Sequence, residues 1–263
     1  MSDAQNILTT IDLNIGYKTK KGNNCLAQNL NLNFKLGELT ALVGGNGVGK
    51  STLLRTLTGI QPPLSGTISL NDENLKDIGV NEMARQLSLV LTESLPPSNL
   101  TVFELVALGR QPYTNWIGTL TDTDILQINT ALELTQISHL ADKKHFEISD
   151  GQLQKVLIAR ALAQDTPLII LDEPTTHLDL LNKVSLFRLL KKLAHETRKC
   201  ILFSTHDIDL AIQLSDSMVI MTAAEVIQDE PCQLIQNGAF DHLFADENIS
   251  FDIDKGKFIF KNL

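Results

Sequence analysis

The sequence lacks both a long apolar run and a basic N-terminal segment. No stretch approaches the run of about 18 apolar residues that a membrane-spanning helix requires. The opening residues, MSDAQNILTT, do not have the basic-then-apolar layout of a secretion signal. These two absences predict a chain that stays in the cytosol.

Cysteine is scarce, with three residues in 263. Cys25, Cys200 and Cys232 are odd in number and widely separated, so their spacing matches neither a disulfide framework nor a zinc site. We expect three free and buried thiols.

An excess of positive charge is also missing, because 22 Lys and Arg residues face 31 Asp and Glu residues and give a net charge of -9. Broad binding to nucleic acid or to anionic lipid requires a basic surface. The balance therefore excludes both, and any membrane association is expected to go through a protein partner.

Two kinds of apolar pattern predict strands in a chain that is long enough, and 43% hydrophobic, for a large core. Ile7–Ile15 and Ala27–Leu36 alternate apolar and polar residues, as half-exposed antiparallel strands do. Leu39–Val43, Leu168–Leu171 and Cys200–Phe203 are short and continuously apolar, which is typical of parallel strands buried on both faces. The pattern favours an α/β fold with a parallel sheet flanked by helices.

The segment at about 87–164 has helical periodicity instead. Val102–Gly109 and Asp122–Leu134 are predicted helices, and a third is predicted to start at Asp150. Because no repeat, low-complexity tract or long linker occurs, we interpret this segment as an insertion in one domain covering residues 1–263.

The C-terminal part has short elements. After Asp216 the pattern indicates two strands, then small helices around Pro231–Leu243 and a strand at Lys257–Phe260. We expect residues from about 230 to 263 to form a short extension of the domain.

A glycine-rich segment, the phosphate loop, joins the predicted strand Leu39–Val43 to a helical pattern at Leu53–Leu57 and matches the motif G-x-x-x-x-G-K-[ST]. Its residues are Gly44, Gly45, Asn46, Gly47, Val48, Gly49, Lys50, Ser51 and Thr52. Glycines let backbone N–H groups close around phosphate oxygens, and the helix directs its positive end at the same anion. The motif predicts that Lys50 binds the β- and γ-phosphates of a nucleoside triphosphate and that Ser51 offers a hydroxyl to Mg²⁺.

Two carboxylates, Asp172 and Glu173, follow the buried strand Leu168–Leu171. Open α/β sheets bind ligands at the carboxyl ends of their strands. Asp172 is suited to hold Mg²⁺, and Glu173 could orient and deprotonate an attacking water. The alternative is that Asp-Glu-Pro only ends the strand in a turn, which the presence of the phosphate loop makes the weaker reading.

The sequence ISDGQ at 148–152 resembles the LSGGQ signature of the nucleotide-binding subunits of ABC transporters, and we call it the signature segment. Thr176–Asp179 resembles the D-loop of that family, and Ser204–Asp207 resembles its switch-histidine loop, here the switch loop. Tyr17 lies where such proteins stack an aromatic ring on adenine. The motifs occur in the family's order over nearly the whole chain.

The resemblance implies an α/β, P-loop NTPase fold of the ABC type, with a parallel core sheet, an antiparallel β subdomain and an inserted helical subdomain. It implies ATP and Mg²⁺ as ligands and ATP hydrolysis as the reaction. Lys50, Glu173 and His206 are then the expected catalytic residues, with His206 contacting the γ-phosphate.

A second copy of the chain is the first partner that the resemblance implies. Ser149, Gly151 and Gln152 of one copy, together with its Asp179, would contact ATP held by the phosphate loop of the other copy. Each copy alone would have an incomplete site, and ATP would join the two.

Asp150 departs from the family pattern, which usually has glycine there. Two like charges about 6 Å apart repel by about 3 kcal/mol at an effective dielectric constant of 20. We therefore expect Asp150 to point away from the phosphate, to cap the first N–H groups of its helix and to favour the helix dipole.

A second departure lies after Leu87–Leu91, where the family normally has a glutamine that touches Mg²⁺ and senses the membrane partner. Alignment on the downstream Leu100–Val102 places Thr92 there. Our hypothesis is that Thr92 or Glu93 takes over this duty, and the alternative is that both are ordinary loop residues.

The segments 101–113, 116–118 and 174–179 look like those of importers for iron–siderophore, haem or cobalamin. This likeness implies permease subunits as partners, a substrate-binding protein as an indirect partner, and a location at the cytoplasmic face of the inner membrane. Tyr113 and Trp116 either line the socket for a permease helix or serve packing.

Two other functions stay open on the sequence alone. One is a soluble ABC ATPase without a transport role, such as a scaffold component in iron–sulfur assembly or a translation or DNA-repair factor. The translation type normally carries two cassettes in tandem and the repair type carries long coiled coils, and the sequence has neither feature. The other is a P-loop kinase or GTPase, which leaves the signature segment unexplained.

Overall fold

The computed structural model describes residues 5–20, 22–91, 98–241, 243, 249–252 and 257–260. In chain order the elements are β1 (Asn6–Thr19), β2 (Gly22–Leu30), β3 (Asn33–Lys35), β4 (Leu39–Gly44), α1 (Lys50–Leu57), β5 (Ser65–Leu70), β6 (Glu73–Asn74), α2 (Val80–Gln86), β7 (Leu87–Val90), α3 (Val102–Ala107), α4 (Asp122–Leu134), α5 (Asp150–Ala163), β8 (Leu168–Leu171), α6 (Leu180–Thr197), β9 (Cys200–Ser204), α7 (Ile208–Leu214), β10 (Ser217–Met221), β11 (Val226–Asp229), α8 (Pro231–Gln236), β12 (Ile249–Asp252) and β13 (Lys257–Phe260). Short 3-10 helices lie at Leu108–Arg110, Ser138–Leu140 and His145–Glu147.

The central sheet has six strands in the order β11-β10-β4-β9-β8-β7. The strands from β10 to β7 run parallel, and β11 is antiparallel to β10 at the edge. Every residue of β4, β8 and β9 is buried. The prediction that continuous apolar runs form the centre of a parallel sheet is confirmed.

The two alternating segments form a second, antiparallel sheet with the order β2-β1-β5-β6, in which β3 also pairs with β1. The predicted strand Ala27–Leu36 is divided between β2 and β3, which both pair with β1. The pairing of β2 ends at Leu30, opposite Leu13, and the pairing of β3 begins at Asn33, opposite Thr9. The break lies at Asn31 and Leu32, between the end of β2 and the start of β3.

The segment 87–164 begins with strand β7, which pairs with β8 in the core sheet. Its helices begin at Val102. Buried residues of α3, α4 and α5 pack together in one core cluster. Gly109, which follows α3, packs closely against α5. A Cβ at this position would lie only 2.2 Å from the carbonyl oxygen of Arg160, so the position requires glycine. The predicted helices at Val102–Gly109, Asp122–Leu134 and Asp150 are confirmed, the first as a helix followed by a 3-10 turn.

A buried ion pair joins the helices of this segment. Arg110 Nε lies 2.8 Å from Asp124 Oδ1, and Arg110 also donates to the carbonyl oxygen of Ala163 at 2.7 Å. Hydrogen bonds from the side chain and backbone of Thr121 lower the pKa of Asp124 to about 2, assisted by Arg110 and opposed by burial. This carboxylate therefore stabilises the fold above about pH 4, and the contribution is lost as pH falls towards 2.

We expect Asp124→Asn to lower the free energy of unfolding by about 3 kcal/mol, because it leaves the buried guanidinium of Arg110 without its anion. Urea denaturation at neutral pH measures the change. Asp122→Asn, at the exposed first residue of the same helix, is the matched control. Equal unfolding midpoints for the two variants would contradict the prediction.

The thiols are free, as predicted, but only Cys200 is buried, while Cys25 is half-buried and Cys232 is exposed. The expectation of three buried thiols was wrong because Cys232 lies on the short helix α8, whose buried residue is Leu234. Among the helices that the structure describes, none is long and apolar enough to cross a bilayer.

Candidate nucleotide-binding site

Three loops meet at one edge of the central sheet. They follow β4, β9 and β8, which are adjacent parallel strands, and they begin at Gly44, Thr205 and Asp172. Parallel strands end on the same edge, so the order of the strands alone brings the phosphate loop, the switch loop and the two carboxylates together. The sequence motifs therefore converge in space.

The phosphate loop has the backbone geometry that its glycines allow. Gly47 and Gly49 have φ values of 73° and 115°, a region that residues with a Cβ rarely adopt. A Cβ on Gly49 would also lie 2.9 Å from Met221 Cε. Helix α1 starts at Lys50 without a side-chain cap, so its first N–H groups are directed towards the loop and suited to bind an anion.

Lys50 lies inside this loop and is 6% exposed. Its ammonium group donates hydrogen bonds to the carbonyl oxygens of Gly44 at 2.9 Å and Gly45 at 3.1 Å. Burial lowers the pKa of Lys50, while the nearby carboxylates of Glu173 and Asp172 oppose that shift. A buried, fixed cation beside a set of backbone N–H groups suits a phosphate.

Asp172 is buried and fixed beside Ser51. Its Oδ1 accepts a hydrogen bond from Ser204 Oγ at 2.6 Å, and Ser51 Oγ lies 3.4 Å from the same oxygen. A hydroxyl and a carboxylate at this spacing are hard oxygen donors that fit Mg²⁺, which usually takes one or two carboxylates with waters and substrate phosphates. Within the described ranges no group of three or more His, Cys, Asp or Glu residues could hold a metal, so the mixed donor set is the candidate.

Glu173 has a constrained backbone and a partnered carboxylate. Its φ is 48°, in the left-handed region, and its N–H donates to Ser204 Oγ at 2.8 Å. One carboxylate oxygen lies 2.7 Å from His206 Nε2, and the other accepts from Thr176 Oγ1 at 3.4 Å. The side chain is directed at the switch histidine rather than free to rotate.

Ser204 is a site residue to which the sequence assigned no role. Its hydroxyl donates to Asp172 and accepts from the N–H of Glu173, so it fixes both acidic residues at once. The contacts span 31 and 32 residues of sequence, and no local pattern indicates them. The only available signal was its place at the end of a buried strand.

Tyr17 contacts the helix that follows the phosphate loop. Its hydroxyl lies 2.7 Å from Thr52 Oγ1, and the residue is 46% exposed. The phenol is thus fixed at its tip while part of the ring remains accessible. This geometry suits a flat, stacked ligand beside the phosphate loop.

The ABC transporter family model matches residues 27–176 of this sequence, which is more than half of the chain. The chain belongs to the ABC transporter family. This chain, called the cassette from here on, is 37% identical over 257 residues to an ABC transporter ATP-binding protein of Methanocaldococcus jannaschii, covering 97% of this chain and 87% of that one. It is also 37% identical over 224 residues to the iron(3+)-hydroxamate import ATP-binding protein of Bacillus subtilis, covering 85% and 82%.

Solved structures agree. A metal-chelate type ABC transporter in an inward-facing conformation matches with a TM-score of 0.79 and 28% identity, over 97% of this chain and 96% of that chain. A dimeric cassette bound to ADP and Pi in a post-hydrolysis state matches with a TM-score of 0.72 and 27% identity, over 85% and 98%. The expected fold class is confirmed, and the cassette is an ATP-binding, ATP-hydrolysing subunit of an ABC transporter and not a P-loop kinase or GTPase.

The signature segment of the cassette begins helix α5, as predicted. Ser149 is the N-cap, and it forms a reciprocal pair with Gln152: Gln152 N donates to Ser149 Oγ at 3.3 Å, and Ser149 N donates to Gln152 Oε1 at 3.0 Å. The expectation that Asp150 caps this helix was wrong, because the N-cap is Ser149, whose hydroxyl accepts from the N–H of Gln152. Asp150 occupies the first turn, where it favours the helix dipole.

The D-loop residue Asp179 of the cassette lies close to this helix start. It is the N-cap of α6 and accepts from Asn182 N at 2.8 Å. A Cβ on Gly151 would lie 3.4 Å from the Asn182 side chain, so the two helix starts are neighbours. Within the described residues no hydrogen bond joins Ser149, Gly151 or Asp179 to the phosphate loop. Thr92 and Glu93 lie outside the described residues.

Proposed function

We propose that two copies of this cassette form a dimer with two composite ATP sites, and that the dimer powers import of an iron–siderophore or a related metal chelate such as haem or cobalamin. The main support for the dimer is that the site residues fall into two separate groups. The phosphate loop, the carboxylates and His206 form one group, and the signature segment and Asp179 form another. In the part of the chain that the structure describes, no hydrogen bond joins the two groups.

Each group is suited to one side of the same triphosphate. Lys50 and the backbone of the phosphate loop bind the phosphates of ATP from one copy. In the other copy, Ser149 and Gly151 at the start of α5 present donors and the positive end of a 14-residue helix to the γ-phosphate, with Gln152 and Asp179 nearby. The dimeric cassette structures among the relatives support this arrangement.

Ser51 and Asp172 are the proposed holders of Mg²⁺, with Thr92 or Glu93 as an additional oxygen donor on the strength of sequence position alone. When bound, the ion neutralises charge on the transferred phosphoryl group. Glu173 orients the attacking water and accepts its proton, and His206 holds the Glu173 carboxylate and contacts the γ-phosphate. Tyr17 stacks on the adenine.

The descriptions of similar proteins support the proposal that the cargo is a metal chelate. Similar proteins are described as ATP-binding subunits for achromobactin transport, iron(3+)-hydroxamate import and ferric enterobactin transport. In the cassette, Trp116 is 94% exposed and Ile117 is 69% exposed in the connection between the 3-10 turn Leu108–Arg110 and α4. An exposed apolar pair of this kind is suited to contact a permease helix, which would hold the cassette at the cytoplasmic face of the membrane.

We expect the ATPase rate of the cassette to rise when it is reconstituted with permease subunits of a metal-chelate importer and the matching substrate-binding protein. Radiolabelled iron–siderophore should enter vesicles only when ATP is present on the cassette side. The matched control uses Glu173→Gln in the same vesicles. A cassette that purifies from the soluble fraction and is not stimulated by any membrane protein would favour the iron–sulfur scaffold alternative.

A further inference from the structure

Asp207, the residue after His206, is held by side chains from two other parts of the fold. Its Oδ1 pairs with Lys183 Nζ at 2.7 Å, and its Oδ2 accepts from Thr175 Oγ1 at 2.9 Å. Its N–H donates to Thr205 Oγ1 at 3.0 Å. Both carboxylate oxygens and the backbone are thus fixed.

This use of an aspartate differs from the usual one at its position. Asp207 is the N-cap of α7, where an aspartate side chain normally accepts hydrogen bonds from the first turn of the helix. No such bond forms here. The carboxylate turns instead to Thr175 and Lys183, so its contacts bind the switch loop to distant elements rather than stabilise α7.

The two partners of Asp207 lie in the segments that carry the rest of the site. Thr175 is 3% exposed and follows Glu173 by two residues. Lys183 lies in the first turns of α6, where its N–H donates to the carbonyl oxygen of Asp179 at 2.9 Å. Asp207 therefore joins the switch loop to the strand end that carries Glu173 and to the helix that starts at the D-loop.

We propose that Lys183 is a positioning residue for ATP hydrolysis: through Asp207 it fixes the switch loop so that His206 stays aimed at Glu173 and at the transferred phosphoryl group. The proposal rests on the roles proposed above for Glu173 and His206. Lys183 itself forms none of the hydrogen bonds that gather the phosphate loop, Asp172 and Glu173, so its effect passes through Asp207. Misplacement of a catalytic group by about 1 Å can lower a rate by about 10²-fold, so a modest shift of His206 is enough to be measured.

The test compares variants of one helix. Lys183→Met removes the charge and keeps the length of the side chain, and we expect kcat to fall about 10-fold while the KM for ATP changes by less than about twofold. Lys183→Arg should restore most of kcat. Lys191→Met is the matched control, because Lys191 lies on the same helix and pairs with Asp216 at 3.2 Å, away from the switch loop.

A second comparison separates positioning from a structural role. In a His206→Ala background, Lys183→Met should cause no further loss in single-turnover rate, because the residue that Lys183 positions through Asp207 is gone. A full additional 10-fold loss, or a kcat for Lys183→Met equal to that of Lys191→Met, would overturn the proposal. Thr175→Val removes the hydrogen bond to the other oxygen of the Asp207 carboxylate. If Lys183→Met folds poorly, Thr175→Val should show the same result, a lower kcat with a nearly unchanged KM for ATP.

The outcomes also distinguish this proposal from the function on which it rests. If His206→Ala alone hydrolyses ATP at the wild-type rate, the role of His206 fails. If His206→Ala is impaired but Lys183→Met and Thr175→Val behave as wild type, only the positioning role of Lys183 fails.

Discussion

Glu173→Gln is expected to bind MgATP with nearly unchanged affinity and to lower kcat by about 10²–10⁴, the usual contribution of a general base. The amide keeps the size of the side chain, but it cannot accept the proton of the attacking water. The phosphate loop, Ser51 and Asp172 remain intact, so the groups proposed to bind nucleotide are untouched. The loss therefore falls on the chemical step.

Nucleotide affinity and turnover measure this prediction, and light scattering adds a second readout. Because binding persists while hydrolysis stops, MgATP should convert the variant into a long-lived dimer. Glu196→Gln, on the exposed face of α6 beside Lys192, is the control and should behave as wild type. Wild-type turnover in Glu173→Gln, or a variant that stays monomeric with MgATP, would contradict the proposed base or the proposed dimer.

Lys50→Ala is the second large effect. The ammonium group of Lys50 is the buried cation of the phosphate loop, and one charge-assisted contact to a phosphate contributes about 1.5–3 kcal/mol, which is about 10- to 140-fold in affinity. The same charge counters the negative charge of the transition state, where one lost donor typically lowers kcat by about 10²–10³. We therefore expect Lys50→Ala to lower both the affinity for ATP and kcat.

Single-turnover hydrolysis and fluorescent-nucleotide binding measure the effect of Lys50→Ala. Lys50→Arg keeps the charge in an altered shape and should fall between the wild type and the alanine variant. Thermal melting shows whether the loss of the hydrogen bonds to Gly44 and Gly45 destabilises the fold. Normal hydrolysis by Lys50→Ala would remove the phosphate loop from the proposed mechanism.

The strands and loops that carry the site could be predicted because their signals are local. Leu39–Val43, Leu168–Leu171 and Cys200–Phe203 are continuous apolar runs, and each is followed directly by its motif. Once the runs are adjacent parallel strands, the motifs must meet at one edge. Their positions are thus confirmed, while the roles of the individual residues stay predictions.

The remaining features depend on contacts between distant residues. Nothing near Ser204 in the sequence indicates that its hydroxyl bridges Asp172 and Glu173. The break between β2 and β3 depends on which part of β1 each half of the predicted strand pairs with. The exposure of Cys232 depends on which side of a short helix faces the core. In each case the deciding partner is far away in the chain.

The ion pair between Arg110 and Asp124 has a mechanical consequence. Arg110 lies 4.0 Å above the ring of Tyr113, three residues before the exposed Trp116, and its guanidinium is hydrogen-bonded to the carbonyl oxygen of Ala163, the last residue of α5. Helix α5 is 14 residues long, so its other end lies about 20 Å away at Ser149. In the proposed dimer, a displacement of the segment around Trp116 would be transmitted along α5 to Ser149, the residue proposed to contact the γ-phosphate.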